Sequence, residues 1–62
     1  MDPWLELVQR QARKEINLLS DEKVLKECSF MKKSILKEEY VPSLREWLIS
    51  ERVAQILNED FA

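Results

Sequence analysis

The chain has 62 residues, ten basic and twelve acidic, with a formal net charge of −2; 45% of its residues are hydrophobic, 35% are charged, and it has neither glycine nor histidine. It is too apolar for a disordered tail and too interrupted by charge for a membrane span of about 18 apolar residues, and it lacks the net positive field that draws chains onto nucleic acid or anionic lipid. Phosphate-cradling loops, dinucleotide folds and two-residue hairpins lean on glycine for positive φ angles, so helices joined by short turns are expected.

One domain spanning residues 1–62 is all this length accommodates, and its core is small enough that stability is marginal without a staple. The single cysteine, Cys28, cannot form an intramolecular disulfide. With no histidine and no second cysteine there is no structural zinc site of the usual ligand types, and no cofactor motif is present. Helix packing and association with another chain remain as sources of stability. The amino terminus lacks a basic start followed by an apolar run, so an intracellular, cytoplasmic location is expected.

The first predicted helix runs over about 3–19. Asp2 reads as its N-cap, and Pro3 suits the first helical position, where a missing N–H costs nothing. Trp4, Val8, Ala12, Ile16 and Leu19 recur on one stripe, widened by Leu5, Leu7 and Leu18, with Arg10, Arg13, Lys14 and Asn17 opposite. Glu6 and Arg10 form a favourable i,i+4 pair. Gln11 and Glu15 interrupt the apolar arc; such residues either fix the register of paired helices or reach water at its rim.

Ser20 is a second N-cap, followed by Asp21 and Glu22, whose charges suit the positive end of a helix dipole. The second helix is predicted over about 21–39, with Val24, Cys28, Met31 and Ile35 as its inner stripe and Leu25 and Leu36 beside them. Its outer face gathers Lys23, Lys26, Lys33 and Lys37 within about 80°, with Phe30 among them. Pro42 disfavours the α conformation at Val41, which ends this helix and opens a third over about 42–58. The residues from Glu59 to Ala62 are expected to fray. In the third helix Leu44, Trp47 and Leu48 lie on one side, while Ile49, Val53, Ile56 and Leu57 lie about 150° away. A helix apolar on two sides is either sandwiched between layers or shared with a second chain. The fold class expected is therefore all-α, three short helices as a small bundle or open helical hairpin completed by another chain.

Nothing in the pattern points to catalysis. Histidine, the commonest general base, is absent, and the adjacent acidic pairs Asp21–Glu22, Glu38–Glu39 and Glu59–Asp60 diverge by about 100° on a helix. Cys28 lies in an apolar stripe and reads as a small core hydrophobe whose thiolate is disfavoured. The expected function is a non-catalytic protein-protein interaction module, a regulator, inhibitor, adaptor or assembly subunit that binds through apolar helix faces. Its partner would be another protein chain, either a second copy or a larger protein, with no membrane or small-molecule substrate. Trp4, Leu7, Phe30, Leu44, Trp47, Leu48, Val53 and Leu57 are the candidate contact residues, because large aromatic and aliphatic side chains bury the most area at contacts. The alternative is a small nucleic-acid-binding module using the lysine stripe of the second helix. A helix-turn-helix over 41–57 is disfavoured by the acidic balance and by the absence of a clustered basic recognition helix.

Overall fold

The computed structural model describes residues 3–61, and side chains of residues 3–59. The fold is all-helical: α1 spans Pro3–Asn17, α2 Asp21–Glu27 and α3 Val41–Phe61, with a single 3-10 turn at Glu38–Tyr40 leading into α3. The expected Asp2 cap lies outside the described residues. Ser20 caps α2 as expected: its backbone is extended and its Oγ accepts the Lys23 amide at 3.1 Å. After Asn17, the Leu18 and Leu19 amides donate to the carbonyls of Glu15 and Ile16, tightening the last turn of α1.

The second helix is far shorter than its periodicity predicts. It ends at Glu27, and residues 28–37 run as successive tight turns, with the Met31 amide donating to Cys28, Ile35 to Lys32 and Leu36 to Lys33. Two causes act together. Cys28, Ser29 and Phe30 are three weak helix formers in succession. Val24 and Val41 also belong to one buried cluster. A straight helix from Val24 to Glu39 would carry the chain about 22 Å away, at 1.5 Å per residue. Coiling the segment brings Val41 back onto Val24, and it does so with no described residue at positive φ.

Helix α3 also starts differently. Val41 adopts the α region (φ −54°, ψ −42°) and is the first residue of α3, although proline follows it. Proline tolerates the first turn of a helix, where its missing N–H has no partner to lose. Burial of Val41, which is 3% exposed, favours the compact conformation over the extended one. At the other end α3 continues through Phe61, past the expected boundary near Asn58.

The core consists of Val24, Cys28, Val41 and Leu44, with Leu19, Leu25, Met31, Leu36 and Leu48 packed around it. Val8, Ala12 and Ile49 are buried as well, on α1 and α3. The two apolar sides of α3 are thus occupied from within the chain. Leu44 and Leu48 face α2 and the turns after it, while Ile49 and Val53 border a groove shared with α1.

Candidate protein-binding surface

Arginines fasten the three helices. Arg45, largely covered, donates from Nη1 to the Ile16 carbonyl and from Nη2 to Asp21 Oδ1, both at 2.8 Å. One guanidinium therefore adds a second donor to a carbonyl in the last turn of α1, which also accepts the Leu19 amide, and meets an acidic residue in the first turn of α2. Arg52 donates from Nε to Glu15 Oε2 at 2.7 Å, and Arg13 donates to both carboxylate oxygens of Glu46 at 2.9 and 3.3 Å. These contacts hold the Glu15 and Glu46 carboxyls below their ordinary values, through hydrogen bonds from Arg52 and Arg13 in the first place. Glu15 also accepts from Gln11 Nε2 at 3.1 Å. The polar interruption of the α1 stripe therefore sets the register of α1 against α3, and Arg13, expected on the solvent side, reaches across to do the same.

Lysines behave differently. Lys23 pairs with Glu27 one turn later, at 3.3 Å. Lys26, Lys32, Lys33 and Lys37 are exposed and form no ion pair among the described residues. The continuous helical stripe expected of Lys23, Lys26, Lys33 and Lys37 is not formed, because Lys33 and Lys37 lie beyond the end of α2. Phe30, also beyond that end, is 70% exposed. Its ring rests against Trp47 of α3, with centroids 5.5 Å apart and planes inclined at 50°. That spacing is typical of a favourable tilted aromatic pair. The result is an aromatic ledge at the junction of the turns and α3, with lysines before and after Phe30 in the chain.

The candidate contact residues divide into three groups. Leu7 is 59% exposed, and Trp4 and Trp47 are each 38% exposed. With Phe30 they form the accessible set. Leu48, Val53 and Leu57 are half-buried on α3, and Leu48 packs on the core. Leu44 is only 4% exposed; it is a core residue, and its large side chain stabilises the fold from inside. Phe30 and Trp47 are brought together, whereas Leu7 and Trp4 lie on α1. Leu18, 79% exposed just past the end of α1, is not among the candidate contact residues, and neither are Ile35 and Tyr40, each 43% exposed. The stripe counted Leu18 and Ile35 as inward-facing, and both lie where helical spacing no longer applies.

Cys28 is fully buried, and burial pushes its thiol above the ordinary value. Among the described residues no cluster of His, Cys, Asp or Glu is arranged to hold a metal ion, and no helix is long and apolar enough to cross a membrane. Compared with protein-family models, curated proteins and solved structures, the chain matches none.

Proposed function

We propose that the chain is a small non-catalytic binding module that recognises another protein chain through exposed apolar side chains. The observation that carries this reading is the aromatic ledge: Phe30, the largest mostly exposed apolar side chain among the described residues, is held in place against Trp47. A fixed aromatic surface loses little conformational freedom on binding, which is why such residues dominate the energetics of interfaces. Leu7 on α1 and Leu18 just past its end are exposed apolar side chains outside the ledge.

The test uses the intact chain as bait in an extract of its native source, with wild type compared against Phe30→Ser. Because Phe30 is mostly exposed, the substitution should leave helicity in place while lowering affinity by about 2 kcal/mol, the scale of an aromatic anchor. A chain retained by wild type and lost with Phe30→Ser supports the reading, whether it is a second copy or a different protein. Equal retention by both, with helicity preserved, overturns it.

A further inference from the structure

All four arginines of the chain, Arg10, Arg13, Arg45 and Arg52, are in ion pairs. Among the described residues, the cations left without one are Lys14 and four lysines near one another in sequence, Lys26, Lys32, Lys33 and Lys37, with Phe30 between Lys26 and Lys32. From residue 28 to residue 37 there is no acidic side chain at all, in a chain whose net charge is −2. This segment is therefore opposite in sign to the molecule as a whole, and it contains Phe30, the most exposed aromatic among the described side chains.

From this arrangement we infer that the ledge of Phe30 and Trp47 docks a short acidic segment of a partner protein that carries an apolar side chain. The inference rests on the protein-binding reading above and names the chemistry of the partner. An apolar side chain of the segment packs on the rings, and its carboxylates meet the ammonium groups of Lys32 and Lys33. Complementary charge of this kind speeds encounter and selects the partner, while the rings supply the lasting contact.

The surroundings favour a narrow footprint. Glu22 and Glu27 precede the acid-free segment 28–37 and Glu38 and Glu39 follow it. A flat anionic bilayer or a long phosphate backbone would meet those carboxylates as well, and repulsion would offset the attraction. A few residues of extended or helical peptide reach the lysines alone. The arginines, whose planar guanidinium is best suited to phosphate, are committed to intramolecular partners.

The experiment uses the full chain with Trp4→Phe, so that Trp47 is the only tryptophan and its emission reports on the ledge. Four probes are titrated: a short glutamate-rich peptide bearing two phenylalanines, the same peptide without phenylalanine, oligothymidylate, and phosphatidylserine-containing vesicles. The first peptide should shift the emission saturably. Binding should weaken about tenfold on loss of the phenylalanines or on the paired reversal Lys32→Glu with Lys33→Glu, and should fall again at about 0.5 M salt. Helicity of the reversal variant, checked by circular dichroism, should match the parent. No saturable shift, or an equal shift in the reversal variant, overturns the inference, and tighter binding of the oligonucleotide or the vesicles does so by reassigning the ledge. The two readings fail separately. If the reversal variant still captures the chain that Phe30→Ser loses, the acidic partner is wrong and the protein-binding reading stands; if neither variant changes capture, both fall.

Discussion

At the scale of single residues, the side chains that decide the fold are small. Val24 and Cys28 are the largest that are completely enclosed, one turn apart at the end of α2. Trimming Val24 to Ala removes two methyl groups from a site with little freedom to collapse. We expect a loss of about 2 kcal/mol, read from the shift in a urea unfolding midpoint. An unchanged midpoint would mean that Val24 is not at the centre of the core. Cys28 leads to a different measurement. Burial blocks access and disfavours the thiolate, so alkylation in the native state should be slow and should accelerate sharply in denaturant. Rapid native labelling would place the sulfur at the surface. The core role of Cys28 was legible from its apolar neighbours Val24 and Met31, four residues before it and three after it. The role of Leu44 was not, because a helical wheel shows that Leu44 and Trp47 share a side without showing which of them lies nearer the core.

At the scale of elements, periodicity located α1 and α3 and overextended α2. An apolar residue every three or four positions is a property of the sequence, and successive tight turns satisfy it as well as a helix does when each turn brings one apolar group inward. Met31 and Leu36 still reach the core while Ile35 does not. The cost of the turns is weak local hydrogen bonding, with bonds to the third residue in place of a continuous ladder. Backbone amides of residues 29–37 should therefore exchange with solvent much faster than those in the middle of α1 and α3. Protection through this segment equal to that of α3 would restore the long second helix. The joint between α1 and α3 carries a pH signature. The folded-state values of Glu15 and Glu46 are lowered by Arg52 and Arg13, so their contribution is complete above the ordinary carboxylate value near 4 and is lost as pH falls through the lowered values. Unfolding midpoints should decline as pH drops below about 4, and the decline should be shallower in a Glu15→Gln, Glu46→Gln variant. Both pairs are solvent-screened, so the difference will be modest. An identical decline in the variant would assign the acid sensitivity to other carboxylates. None of these pairings was readable from sequence, since charge pairs between helices follow from packing and not from spacing along one element.

The whole molecule exposes more surface than its mass requires. Its accessible area is 4923 Å², whereas a compact monomer of 7.4 kDa has about 4200 Å². Its radius of gyration, 12.8 Å, likewise exceeds the value of about 10.6 Å for a compact domain of this length. The excess follows from the long α3, 21 residues or about 32 Å at 1.5 Å per residue, and from a core too small to enclose Leu7, Leu18, Phe30 and Trp47. Three helices and the small core were legible in the sequence. The ledge was only half legible: Phe30 stood out as an aromatic among lysines, but its pairing with Trp47 depends on the turns that replace the second half of the expected helix. The central claim is that this exposed apolar surface binds another protein chain. The most direct measurement is sedimentation of the labelled chain, at fixed low concentration, against increasing amounts of the species it captures, for wild type and for Phe30→Ser. We predict saturable binding to wild type and an affinity about thirtyfold lower for the variant, the equivalent of about 2 kcal/mol, with helicity unchanged. Superimposable binding curves for two equally folded proteins would contradict the account.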